Sequence, residues 1–442
     1  MASRKSPTRL AAYSLSALLA FSLASAAASH ENPSQPPLTA GQRAAVLDQV
    51  SEIFGCYYPD PALTKLIVER LRRQEAEGAY AQCADMAAFT SQVTKEMRAV
   101  SKDGHITVWP YEKIPDDLAA ETLLGSPQDN YGFKRVELLP GNIGYIQMTY
   151  WANPRLAAPT AIAAMNFVAH CDALIFDLRG NGGGDEIMGQ FISSYLFAER
   201  THIADVLVPS EGRLQQTWTF EWVPGPRMPD VPVYILLNRL SYSASEDFAF
   251  PLQQCGRALV VGERTRGGSH AVKYMSFPEI GVNIRVPYTT QVKPGTKESY
   301  TEGMVPDIPA TSENALAAAA VAALSRILPR ETDPKKRLSL EWALAFYKID
   351  LEPVALDPIA LKEYVGVYGD AKVFLAGDQI CLQRKDRRRQ ALVPLGGDDF
   401  KFEDPTMARY RVQFTRDAKR HIEGFLYHDS DGDSFPPMKR EM

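Results

Sequence analysis

Two short segments of this chain carry residue types that could do acyl chemistry. In ILLNRLSYSASEDFAF an apolar strand ends near Asn238 and a helix begins near Ser245. Ser243 then lies on the connecting turn, where its hydroxyl can project into a cleft and the N–H of Ala244 is free to bind an oxyanion. The same hydroxyl could instead cap the helix, since serine is favoured at that position. The GxSxG elbow of many hydrolases is absent. In LIFDLRGNGGGDEI a strand feeds a glycine cluster and then a helix, which leaves backbone N–H groups exposed at a helix N-terminus. A dinucleotide fingerprint fails there because Asp185 stands where the third glycine would fall, and the lysine of a phosphate loop is missing. Three consecutive glycines at 182–184 favour an anion hole over a bare tight turn. Asp177 and Arg179 read as a structural ion pair.

Both turns need a rigid frame. FKRVELL and NIGYIQMTYW flank Pro140-Gly141 as a hairpin, and the apolar runs ALIFDLR, VYILLN and ALVVGE alternate with helical segments. That alternation predicts an α/β core with a mainly parallel, buried sheet over residues 111–330. Ahead of it, residues 41–110 read as three helices followed by the short strand HITVW, the first helix opening on a Thr39–Gln42 capping box. Residues 331–352 read as a linker. Short strand-like pieces over 353–442, separated by Gly, Asp and Pro, predict a small antiparallel β domain, either barrel or sandwich.

Composition bounds the rest. Hydrophobic residues make up 45% and charged residues 23% of the 442, the balance of a globular protein. The N-terminus reads as a signal peptide over 1–28: Arg4, Lys5 and Arg9 precede a short apolar run and the small residues LASAAAS. The expected location is therefore periplasmic or secreted, with 29–40 as an exposed linker and no stable membrane insertion after cleavage. Removing the signal takes the formal charge from −5 to −8, which gives no global reason to hold nucleic acid. The run Arg384-Lys385-Asp386-Arg387-Arg388-Arg389 lies between two strands and reads as a solvated hairpin turn. Of five cysteines, Cys56 and Cys83 are the first pair to test for a disulfide. No CxxC or HExxH spacing points to a metal, DSDGD at 429–433 lacks calcium-loop spacing, and no cofactor is called for.

Taken in order, NIGYIQM, LIFDLRGNGGG, ILLNRLSYSASEDFAF, ALVVGERTRGGSHAV and TEGMVPDI resemble the serine peptidase family of C-terminal processing peptidases, the tricorn core and interphotoreceptor retinoid-binding protein. The resemblance covers roughly residues 131–325 and implies a crotonase-like core. It also implies Ser243 as nucleophile and an oxyanion hole on the Gly183/Gly184 turn with the N–H of Ala244. C-terminal processing peptidases activate the serine with a lysine, but Gly268 stands at that position here. The other branch uses a histidine from the region before the core, and His105 in KDGHITVW matches it. A histidine can accept the serine proton near neutral pH without the burial that a lysine needs. His270 in GGSH is the rival base. Triad logic asks for a carboxylate to orient the base, with two candidates: Glu246, three residues after Ser243, and Glu302 in TEGMVPDI. Only about 25 residues separate HITVW from the core hairpin, too few for a PDZ domain. The 353–442 segment resembles the small β domain appended to some β-lactamase-like hydrolases, on EYVGVYG and LVPLGGDDF. The expected function is a serine peptidase acting on peptide or protein substrates. The alternatives are a non-catalytic binder of hydrophobic ligands on the same fold, or an esterase or amidase using the same residues.

Overall fold

The computed structural model describes residues 38–113, 125–354, 357–385, 387–430 and 432–441, so the expected signal peptide lies outside the described residues. Three helices come first: α1 (Ala40–Tyr57), α2 (Pro61–Ala76) and α3 (Met86–Ser101). The Thr39 hydroxyl accepts from the N–H of Gln42 and the Gln42 side chain accepts from that of Thr39, so the capping box forms as expected. Asp60 and Asp85 cap the next two helices in the same way, which satisfies backbone donors that have no partner within the helix.

A strand, β1 (Thr107–Pro110), carries the chain from α3 to the core. It pairs antiparallel with β10 (Val282–Pro287), which pairs in turn with β9 (Val272–Phe277). Val46, Phe54, Phe89 and Met97 of the helices bury against Val108 and Ile284 of this small sheet. The helices are thus bolted to a hairpin that belongs to the core. Thr94 on α3 seals the joint by exchanging hydrogen bonds with both the N–H and the C=O of Val108.

The core is a six-stranded sheet. It contains β2 (Phe133–Leu139), β3 (Ile143–Met148), β4 (Ala173–Asp177), β7 (Val233–Leu237), β8 (Ala258–Gly262) and β12 (Ile308–Pro309). Their order is β12-β8-β7-β4-β3-β2, all parallel neighbours except the β2–β3 hairpin. Every residue of β4 and β7 is buried, as continuous apolar runs in a parallel sheet require. One face is covered by α4 (Pro154–Phe167), α5 (Glu186–Ser193) and α6 (Ala244–Gln254), through Ala161, Met188 and Phe248. The other is covered by α7 (Ala315–Ile327), through Ala319 and Ala323. A second small sheet joins β5 (His202–Val208), β6 (Arg213–Trp218) and β11 (Thr290–Val292).

The expected linker over 331–352 is instead a helix, α8 (Pro334–Leu351), capped by Asp333. Leu340, Ala343 and Tyr347 bury one side of it against the core, at the spacing of a helical stripe. A short helix, α9 (Pro358–Glu363), leads into eight antiparallel strands: β13 (Gly366–Tyr368), β14 (Ala371–Ala376), β15 (Gln379–Arg384), β16 (Gln390–Gly396), β17 (Asp399–Phe402), β18 (Tyr410–Arg416), β19 (Ile422–Asp429) and β20 (Met438–Lys439). They follow one another as a meander. A bridge between Tyr368 and Arg440, with the N–H of Glu441 donating to the C=O of Val367, joins the last strand to the first and closes a barrel. All five cysteines are free, Cys56 and Cys83, the first pair to test, among them. No helix among the described residues is long and apolar enough to cross a membrane.

Candidate active site

Ser243 stands between the end of β7 and the first residue of α6, with φ 55° and ψ −124°. This is a sparsely populated region for a residue with a Cβ, and such a conformation costs about 1–3 kcal/mol. The surroundings hold it there. Glu246 accepts the Ser243 N–H at 2.9 Å through one oxygen, and through the other takes the Thr265 hydroxyl and the Gly267 N–H. The flanking residues are laced to the glycine loop: Ser241 donates to the C=O of Leu178, while Tyr242 N–H and Ser245 hydroxyl both donate to the C=O of Asn181. Trp151 then donates its indole N–H to Ser245 at 3.0 Å.

The glycine loop touches the serine turn directly. A Cβ on Gly183 would fall 2.8 Å from that of Ser243, and one on Gly184 would fall 2.1 Å from the C=O of Trp151. With φ of 109° and 141°, both positions also need glycine for their backbone. The N–H of Gly183 is already given to the Asn181 side chain at 3.0 Å, so it is not a free oxyanion donor. The N–H groups of Gly184 and Ala244 make no hydrogen bond among the described residues. Of the expected donors these two are available, at the N-terminal end of α6 where the helix dipole favours negative charge. Asp177 and Arg179 form the structural ion pair, with Tyr145 donating to Asp177 at 2.6 Å.

His105 comes from the segment between α3 and β1. Arg285 donates to its C=O, and Arg98 donates to that of Ile106, so two guanidinium groups pin the backbone there. The imidazole lies against the Tyr242 ring at 4.6 Å between centroids, which brings the histidine to the residue next to Ser243. Nδ1 meets Asp103 Oδ1 at 3.1 Å and the Tyr242 hydroxyl at 3.0 Å. Nε2 makes no hydrogen bond among the described residues. Asp103 also takes the N–H of His105 at 2.8 Å and the Tyr242 hydroxyl at 3.1 Å. Burial alone would raise the Asp103 carboxyl, but the hydrogen bond to His105 and the charges of His105 and His270 outweigh it and hold it down to about 2.

The carboxylate on His105 is therefore Asp103, not the two glutamates expected from sequence. Glu246 is fully buried beneath the serine turn, and burial pushes its carboxyl up to about 7 against its hydrogen bonds with Thr265, Gly267 and Ser243. Glu302 is exposed and faces Arg264 at 3.8 Å. Asp103 could have been found in the sequence, because an aspartate two residues before a histidine can fold back on both its N–H and its ring. His270 lies on the far side of Asp103, with Nε2 3.8 Å from Oδ2 and Nδ1 on the C=O of Thr289. Burial lowers its pKa against the charge of Asp103 and the hydrogen bond to Thr289. A Cβ on Gly268 would meet the Tyr242 ring at 2.7 Å and Glu246 at 3.0 Å, so the place of the missing lysine is filled by Tyr242.

Residues 142–310 match the model of peptidase family S41. Over 167 residues the chain is 27% identical to a carboxyl-terminal-processing protease of Picosynechococcus, covering 37% of this chain and 38% of that protein. Over 178 residues it is 29% identical to the chloroplastic carboxyl-terminal-processing peptidase 3 of Arabidopsis thaliana, covering 38% and 32%. The chain thus spans about a third of the length of these relatives. The solved photosystem II D1 C-terminal processing protease superposes with a TM-score of 0.41 at 15% identity, over 62% of this chain and 94% of that one. The segment that holds Ser243 and the glycine loop packed against it is thereby matched to peptidase family S41.

Proposed function

We propose that this chain is an exported serine peptidase with a crotonase-like core, in which Ser243 is the nucleophile, His105 the base and Asp103 the residue that orients it. The observation that carries the reading is the packing of His105 on Tyr242, beside a strained Ser243 whose turn leaves the Gly184 and Ala244 N–H groups free. In this reaction the Ser243 oxygen attacks the scissile carbonyl carbon while His105 Nε2 takes its proton. The carbonyl oxygen becomes an oxyanion held by Gly184 and Ala244, each donor worth about 3–4 kcal/mol of barrier. The C–N bond then breaks as His105 returns the proton to the leaving amine, and water releases the acyl group by the same route in reverse. Asp103 keeps Nδ1 protonated, so that Nε2 presents its lone pair, and stabilises the imidazolium that forms.

Export rests on the charged and apolar N-terminal segment, and the peptide substrate on the family match. The test is mass-spectrometric cleavage of a diverse peptide library by the chain beginning after Ala28, alongside Ser243→Ala and His105→Ala. Cleavage lost in both variants is the expected result. Loss with Ser243→Ala alone would move the base elsewhere. Hydrolysis of esters but not of peptides would turn the reading to an esterase.

A further inference from the structure

The C-terminal barrel contains a cup that the peptidase reading does not use. Tyr368, Phe400, Phe414 and Phe425 fill part of the interior, with Phe414 edge to face with each of the others. Beside them is an open cavity of about 970 Å³. That is the upper end of the ~300–1,000 Å³ range of small-molecule sites, and an eight-stranded barrel is about the size that holds one small ligand. Its wall is apolar, made by Leu382, Phe402, Met407, Tyr427, Phe435 and Met438. Phe402 and Tyr427 stack at 6.2 Å, and burial pushes the Tyr427 phenol up to about 12.

The mouth is basic. Arg384, Arg387 and Arg388 of the β15–β16 turn and Lys439 of β20 line it, with Glu441 as the one acid among the lining residues. Arg384 is held by Asp370 at 2.9 Å, whereas Arg387, Arg388 and Lys439 make no ion pair among the described residues. The turn read from sequence as merely solvated therefore stands over an apolar hole. The two ends of the meander meet through the Tyr368–Arg440 bridge and the hydrogen bond from Glu441 to Val367, which takes up part of the edge that an added peptide strand would need. An acyl chain needs no such edge, and burying an unpaired peptide group would cost free energy.

We infer that the barrel binds a single-chain amphiphile, its acyl tail in the cup and its anionic headgroup against Arg387, Arg388 and Lys439. The experiment is calorimetric titration of the full chain with dodecanoate, dodecyl phosphate and dodecanol, each below its micellar concentration, and with acetate. One saturable site for dodecanoate or dodecyl phosphate is expected, with none for acetate. A preference for the carboxylate points to free fatty acids and one for the phosphate to lysophospholipids, and either upholds the inference. The double variant Arg387→Glu/Arg388→Glu, both exposed on the turn, should weaken the anionic probes at least about tenfold and dodecanol by less than about threefold. Met407→Trp should weaken all three amphiphiles by filling the cup. Absence of saturable binding by both anionic amphiphiles would overturn the inference, as would unchanged affinity in the charge-reversed variant. Displacement of dodecanoate by a peptide that binds more tightly would also overturn it.

Discussion

Replacing Asp103 by Asn removes one charge and leaves most of the shape. The asparagine oxygen can still accept the His105 N–H, so the local turn survives. The side chain can no longer answer the imidazole as a carboxylate. In the native protein the Asp103 carboxyl is held at about 2, against an ordinary 3.8. That difference corresponds to about 2–3 kcal/mol of interaction favouring the charged form. The sign follows from the depression: the stabilisation is present above pH ~4 and is lost as the pH falls toward about 2. The asparagine variant should lack this acid-limb loss in chemical denaturation. Its kcat on a cleaved peptide should fall by about 10³–10⁴, the cost of losing the orienting carboxylate and the correct tautomer, with KM changed little. Glu302→Ala, which removes an exposed carboxylate paired only with Arg264, should leave kcat within about twofold. An Asp103→Asn enzyme within about threefold of wild type, or a Glu302→Ala enzyme as impaired as Asp103→Asn, would refute the assignment.

Three further outcomes follow from the same geometry. Glu246 has its carboxyl raised to about 7 by burial, so its contribution to stability is full below pH ~4.5 and lost as the pH rises through 7. The isosteric Glu246→Gln should flatten that dependence, worth about 3 kcal/mol, and should lower kcat about 10–100-fold by turning amide hydrogens toward the Ser243 N–H. Gly268→Ala should cost about 1–3 kcal/mol in denaturation midpoints, and Gly268→Lys should reduce activity rather than create a lysine base, because the Tyr242 ring stands in the way. His270→Ala should lower kcat less than about tenfold, since its ring is committed to the C=O of Thr289 and sits behind Asp103. A loss equal to that of His105→Ala in the peptide assay would restore it as the base.

What could be read from the sequence was whatever depends on neighbours in the chain. The uninterrupted apolar run in LIFDL demands burial on both faces, and β4 is buried throughout. The Thr39–Gln42 pair caps its helix because both partners lie within one turn. Three glycines between a strand and a helix do form a close approach, and the serine turn they approach is the expected one. The misreadings share another physics. Gly183 has the right position but spends its N–H on Asn181, a choice of side-chain rotamer that spacing does not encode. Glu246 belongs to the right turn, yet points beneath it to the backbone and not toward the base. Asp103 reaches His105 by a local fold-back over two residues, which the helical and strand periodicities do not register. The stripe Leu340, Ala343 and Tyr347 in the expected linker has helical spacing and buries as a helix face. Barrel closure pairs residues 72 positions apart, Tyr368 with Arg440, and no local pattern signals it.

The two halves of the proposed Ser–His pair reach the site by separate routes. Ser243 follows β7 of the central sheet, whereas His105 lies just ahead of β1, a four-residue strand stitched to β10 and packed on the three leading helices. Parting that short seam would carry the imidazole away while the serine turn, with its bracing glutamate and glycine loop, stayed assembled. On the proposed pairing, hydrolysis would need the leading helices docked, because without them the serine turn would lack its base.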